Sequence, residues 1–383
     1  MIPADLSAEL ASAISAAIAA EDLPPAAARL SASGTWRPGP APPRTAPAGA
    51  TPRGTGPGAA GSYATSLPFD LARLAGQEPG AIAARLARAL RPTAWISSAA
   101  PTGDGYLTIE VTGAALAGLA VRITRAGPSC ARSDALAGVT RAAPPLPELT
   151  AEPDWRRAWR YQAAALAGRL AAAAGATVTP SPEPERSSFV RPASPAGPAS
   201  VADAVAYAGA DAVRYWLARM AAGRTGQLGR GICVIYDLSD PWYLVSFALA
   251  DAAAVLGWAS DLGLRRTEPA SWLAGLLGQP AELALLTQLS WLAERIAGAA
   301  RRGRPAELPR YLEELAGAWL DCRESCPALP FGGRAAPGDQ AGISARLWLA
   351  DATRTALAAG LDLVGVAPRQ WRPVNARAAS VVL

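Results

Sequence analysis

Asp240-Pro241-Trp242-Tyr243-Leu244-Val245-Ser246-Phe247-Ala248-Leu249-Ala250-Asp251, continuing to Gly263, is the stretch from which the fold is read. Asp240 has the short acceptor side chain of a helix N-cap. Pro241 suits the first helical position, where its missing N–H is no loss. An apolar helix is therefore predicted from here toward Gly263. Downstream, Pro280 opens another helix whose far end carries Arg301 and Arg302 before Gly303, the sign of charge that a helix C-terminus favours. Ala306–Cys326 and Ile343–Val366 are predicted to be helical too. Residues 201–383 are thus expected to form an all-α bundle.

Upstream the character changes. Thr179–Ser200 carries six prolines between Pro180 and Pro198 and is expected as a flexible linker. Asp154–Ala174 is predicted as one Ala-rich helix with Trp155, Trp159 and Leu166, and Arg125–Pro153 as irregular chain. Nearer the start, Leu6, Leu10, Ile14 and Ile18 recur every fourth residue, the stripe of an amphipathic helix. The Pro/Gly-rich Gly34–Gly61 stretch is expected as a loop. Leu67–Leu74 and Gly80–Leu90 are predicted as helices. Tyr106–Val111 alternates as a strand does, after an Asp104-Gly105 turn. The expected architecture is α+β: a small N-terminal α+β domain over 1–125, a linker over 126–200 with one helix near 154–174, and the bundle over 201–383.

Composition removes whole classes of chemistry. The chain has 383 residues with 36 Lys plus Arg, no His and a formal net charge of +5. Every basic residue is Arg. A His general base, a His metal ligand, a P-loop Lys and a Schiff-base Lys are therefore excluded within this chain. The four cysteines are Cys130, Cys233, Cys322 and Cys326. Their spacing contains no second close pair, so buried thiols are expected rather than a metal site, and no cofactor. Asp5 and Glu9 stand where a signal peptide needs basic residues, and no membrane span is expected. The expected setting is soluble and cytoplasmic.

Several ordered motifs resemble the two ends of an arginyl-tRNA synthetase. Gly61-Ser62-Tyr63-Ala64-Thr65-Ser66 is similar to that family's G-D-Y-A-T-N stretch, and Gly103-Asp104-Gly105-Tyr106-Leu107-Thr108-Ile109 to its G-P-G-aromatic strand. Gly209–Tyr215, containing Asp211 and Arg214, resembles the D-A-L-R segment that names the DALR anticodon-binding domain. Asp240–Asp251 resembles its N-P-x-Y-Y-V-Q-Y-A-H-A-R helix. Tyr311–Ala316, Cys322-Arg323 and Asp351–Val366 match further segments. The resemblance implies an N-terminal additional domain that meets the D-loop of tRNA and a C-terminal domain that meets the anticodon arm. No H-x-G-H or K-M-S-K-S signature is present, and no room for a Rossmann catalytic domain remains between the matched ends.

The tRNA-binding candidates the resemblance implies are Tyr106, which stands at its base-stacking position, and Thr108, which replaces a base-reading Asn. Tyr63 joins them, alongside a capping role shared with Ser66. Arg323, Arg346 and Arg354 are candidate phosphate contacts. Asp211, Arg214, Asp240, Pro241, Tyr243 and Asp351 are read as motif or structural residues. Ser246, Leu249 and Asp251 occupy the places of the family's Gln, His and Arg, and Asp251 is expected to repel phosphate. The expected function is a non-catalytic synthetase paralogue that binds tRNA weakly. The alternative is a protein-interaction module that docks on a genuine arginyl-tRNA synthetase or another partner.

Overall fold

The computed structural model describes residues 2–30, 35–39, 61–150, 154–182, 200–220, 237–267, 275–330 and 340–367. Cys233, most of the expected Gly34–Gly61 loop and residues 183–199 of the expected Pro-rich linker lie outside them. The chain divides into two units, Met1–Leu119 with Pro269–Glu294, and Ala120–Glu268 with Arg295–Leu383.

The first unit opens with α1 (Ile2–Ala19), which buries Ile2, Leu6, Leu10, Ile14 and Ala17. Four strands follow in the antiparallel order β1 (Trp36–Pro38), β2 (Ser62–Thr65), β4 (Tyr106–Val111), β3 (Ile96–Thr102). Between β2 and β3 come α2 (Leu67–Ala75) and α3 (Pro79–Leu90), which pack on the sheet. The predicted alternation of β4 is present, with Leu107, Ile109 and Val111 buried. Its turn depends on Gly105, at φ +128°, where a Cβ would come within 2.5 Å of the Pro79 Cβ. α4 (Gly113–Ala126) then leads out of this unit.

In the second unit, the described residues between 127 and 182 add a strand pair to the one helix expected there. β5 (Thr140–Ala143) and β6 (Thr177–Pro180) pair in parallel, joined by α5 (Trp155–Ala173) as a crossover. Asp154 caps α5 by accepting from the Arg156 N–H at 2.7 Å. α5 approaches the sheet closely at Gly168, where a Cβ would lie 2.2 Å from that of Ala143. Leu149, Ala158 and Trp159 share a core cluster with Val201 and Ala204 of α6 (Val201–Ala208) and Val213 and Leu217 of α7 (Ala210–Met220). Ser200 and Asp203 close a reciprocal capping box on α6.

Beyond α8 (Pro241–Asp261) the chain enters α9 (Pro280–Ser290), and then α10 (Leu292–Arg302), α11 (Glu307–Ser325) and α12 (Gln340–Val364). The single helix expected from Pro280 to Arg302 is interrupted at Trp291, giving α9 and α10. α9 belongs to the first unit. The buried Tyr63 hydroxyl donates to Ser290 Oγ at 2.7 Å, the Gly61 N–H donates to Thr287 Oγ1 at 3.1 Å, and the Tyr63 and Trp291 rings lie 5.3 Å apart.

α8 packs between α11 and α12 and buries Val245, Ala248, Ala252, Val255 and Ala259. By length and composition α1 and α8 could each cross a membrane, although the sequence suggests no span; each buries an apolar stripe in its own unit instead. The C-terminal carbonyls of α12, which no helical N–H can reach, are met by side chains of α5. Gln162 Nε2 donates to the Val364 carbonyl at 2.9 Å, and Arg169 donates to those of Leu363 and Asp362 at 3.0 and 2.6 Å.

Candidate nucleic-acid interface

The interface begins where α8 begins. Asp240 Oδ1 accepts from the Tyr243 N–H at 2.9 Å, and Pro241 occupies the first turn, as its sequence predicts. The capped start fixes two aromatic rings one turn apart. Tyr243 and Phe247 are stacked with centroids 5.8 Å apart at 21°, and Phe247 is exposed. An exposed aromatic ring such as that of Phe247 is a surface on which a base can stack. Ser246 turns inward along the helix, donating to the Tyr243 carbonyl at 3.1 Å. Farther along, Trp258 of α8 and Leu262 just past its end are also exposed.

The base of this helix is anchored. The fully buried Tyr215 donates to the Pro309 carbonyl at 3.0 Å, with its ring 5.6 Å from that of Trp242. Burial, reinforced by the neighbouring Glu313 carboxylate, pushes the Tyr215 phenol well up. Arg219 donates to Glu313 from Nε at 2.7 Å beside it. One turn earlier, Arg214 donates to Gln162 Oε1 and to the Pro147 carbonyl, both at 3.2 Å. Burial lowers the Arg214 guanidinium from its usual value, and Glu148 and Asp211 oppose that shift. Arg214 is thus a tie between α7 and α5.

Three expected phosphate contacts have protein partners. Arg323 lies with Nε 3.0 Å from Asp251 Oδ2, and the same oxygen accepts from Trp319 Nε1 at 3.0 Å. The Asp251 side chain is 5% exposed. Burial raises its carboxyl above the usual carboxylate range, and Arg323 and then Trp319 oppose that rise. The expectation that Asp251 repels an approaching phosphate is therefore corrected: its charge is buried and paired. Arg346 donates to the Pro327 carbonyl at 3.2 Å. Arg354 grips Asp351 Oδ1 through Nε and Nη2 at 2.9 and 2.7 Å, and Arg266 takes the other oxygen of the same buried carboxylate. Nothing in the sequence marked Arg266, since its partner lies 85 residues away.

In the first unit, Tyr106 is partly exposed at the start of β4. The Arg37 guanidinium sits 4.7 Å from its ring centroid, and Phe69 meets it edge-on at 5.0 Å. Arg37, on β1, therefore covers a ring face that the family resemblance assigns to a base. Thr108 is 9% exposed, and its hydroxyl pairs with that of Thr102 at 2.6 Å. Tyr63 is wholly enclosed beneath α9, so its ring offers no external face. The capping role expected of Ser66 is not made by its side chain; Thr65 Oγ1 accepts from the Leu67 N–H at 3.2 Å instead. Cys130, Cys322 and Cys326 are buried, and burial pushes the Cys130 thiol up to about 12. Among the described residues no group of three or more His, Cys, Asp or Glu could hold a metal ion.

The second unit is thus a helical bundle whose α8 carries a stacked aromatic pair with Phe247 exposed. Comparison with known proteins gives its kinship. The family model "DALR anticodon binding domain" matches residues 252–370, and "Arginyl tRNA synthetase N terminal domain" matches residues 57–111. The arginine–tRNA ligase of Frankia alni is 36% identical over 166 residues, 43% of this chain and 29% of that protein. That of Clavibacter sepedonicus is 34% identical over 164 residues, 43% of this chain and 28% of that protein. The chain thus spans less than a third of the length of these curated relatives. Arginyl-tRNA synthetase from Thermus thermophilus shares the fold at a TM-score of 0.52 with 14% identity, covering 96% of this chain and 99% of that one. The chain is related to the arginyl-tRNA synthetases and carries their type of anticodon-binding domain. The Asp211–Arg214 and Asp240–Asp251 motifs lie outside the residues that the two family models match.

Proposed function

We propose that this chain is a non-catalytic relative of arginyl-tRNA synthetase that binds tRNA as an accessory module in the cytoplasm. The observation that carries this reading is the Tyr243–Phe247 stack at the capped end of α8, with Phe247 exposed, beside the anticodon-binding domain match. Aromatic stacking accepts any base and is worth about 1–3 kcal/mol per base, whereas readers of base edges confer discrimination. Thr108 has spent its hydroxyl on Thr102, and Leu249 has none, so recognition rests on stacking and on backbone charge. Activation of arginine with ATP needs imidazole or ammonium groups at the phosphates, and this chain contains neither His nor Lys. A second reading, docking on a protein partner, is favoured by exposed Trp258 and Leu262 at the other end of α8.

The test is filter binding of several tRNAs across a salt series, with Phe247→Ala beside the native sequence. The expected result is binding that weakens steeply with salt, discriminates little among tRNAs, and drops roughly 5- to 100-fold in the variant. Absence of binding at low salt supports the protein-partner reading. ATP–pyrophosphate exchange with arginine is expected to be absent, and robust exchange would overturn the non-catalytic assignment.

A further inference from the structure

Between α8 and α12 the second unit holds a groove of about 370 Å³, the size range of small-molecule sites. Leu256, Leu264 and Leu347 line it, and Arg266, Asp351 and Arg354 stand together in its wall. The Asp351 side chain, 6% exposed, gives Oδ1 to Arg354 and Oδ2 to Arg266. One buried negative charge thus holds two guanidinium groups, and the cluster keeps an excess positive charge. The Arg266 guanidinium also lies 4.7 Å from the centroid of the Trp348 ring, whose Nε1 donates to the Thr267 carbonyl at 3.0 Å. Each guanidinium has five N–H donors in a rigid fork, more than a shared carboxylate can use. The side chains of Arg266 and Arg354 are 35% and 42% exposed, so donors remain within reach of a ligand. Two oriented cations beside an apolar wall suit an oxyanion that carries a larger, partly apolar body.

We propose that this groove binds a nucleoside phosphate group, either as a free mononucleotide or as one nucleotide of an RNA strand. The phosphate lies against Arg266 and Arg354, and the sugar and base lie along Leu256, Leu264 and Leu347. Asp351 sets the spacing of the two cations and moderates their charge, so binding is reversible. The site is separate from the Tyr243–Phe247 stack and stands whether or not that stack holds RNA.

Isothermal titration of the full chain with AMP, adenosine, ribose 5-phosphate and a short oligoribonucleotide tests this. AMP or the oligonucleotide is expected to bind, adenosine much more weakly, and Arg354→Gln is expected to weaken the interaction about tenfold through the lost charge-assisted bonds. Binding of AMP itself identifies a free nucleotide as the ligand; oligonucleotide binding without AMP binding, weakened by Arg354→Gln, identifies an RNA strand. Phe247→Ala is expected to leave AMP binding unchanged, which separates failure of this site from failure of the tRNA reading. Should Arg354→Gln lose its fold, as seen by circular dichroism, Arg266→Gln takes its place. The proposal is overturned if neither AMP nor the oligonucleotide binds the native chain, or if a folded arginine variant binds as the native chain does.

Discussion

Substitution of Asp251 separates a buried structural carboxylate from a surface charge facing RNA. Its oxygen accepts from Trp319 Nε1, on a residue 3% exposed, and faces Arg323, whose side chain is 38% exposed. Asp251→Ala leaves the indole N–H without its acceptor, which costs about 1–3 kcal/mol for a buried donor. Arg323 can turn toward water, so the lost ion pair adds only about 0–1 kcal/mol. Asp251→Ala is therefore expected to destabilise the second unit by about 1–4 kcal/mol. Asp251→Asn keeps an acceptor for the indole and removes both the ion pair and a charge that burial disfavours, so a change of no more than about 1 kcal/mol is expected. Asp251→Arg sets a second guanidinium beside Arg323 in a site with little access to water, and about 3–5 kcal/mol is expected. Urea unfolding followed by circular dichroism should rank the variants Asn, Ala, Arg in order of increasing damage. An Asp251→Arg protein as stable as the native one would refute the buried placement of this carboxylate.

The same group makes a pH prediction. Its folded value is raised, so its contribution to stability is fully present below the ordinary carboxylate range and is lost as pH rises through the folded value. Acid-range unfolding curves of Asp251→Asn should lack this downward component, and identical pH profiles would contradict it. At Gly168, where an added Cβ meets that of Ala143 at 2.2 Å, Gly168→Val should lower stability by about 1–3 kcal/mol through overpacking. Gly118→Ala in α4, where nothing lies within 4 Å, should instead be neutral or stabilising by up to about 1 kcal/mol, both variants being read by the same urea unfolding.

Local physics made much of the fold legible. The Asp240-Pro241 pair marks the start of α8 because capping is settled within one turn. The alternation at Tyr106–Val111 marks β4 because a half-buried sheet imposes it. The parallel pairing of β5 with β6 was not legible: each strand has four residues, and each finds its partner across a whole helix. The assignment of α9 to the first unit was hidden for a related reason, since an apolar stripe does not name the surface that covers it. At the site, a sequence identifies Tyr63, Thr108 and Asp251 by motif position, and their availability depends on Ser290, Thr102 and Trp319. Those partners are fixed by tertiary packing, so kinship was readable and the free surface was not.

The docking of α9 also has a consequence during synthesis. Gly61 and Tyr63 bond to partners 226 and 227 residues further along the chain. At roughly 5–20 residues per second, a ribosome needs about 10–45 s to deliver them. Through that interval the nascent N-terminal sheet presents an uncovered tyrosine and an unanswered backbone N–H to the surrounding solution. Closure of so long a loop is slow to reward. Chaperone dependence should therefore concentrate in the early product of translation, and a ribosome stalled before Thr287 would hold a sheet that no helix has yet covered.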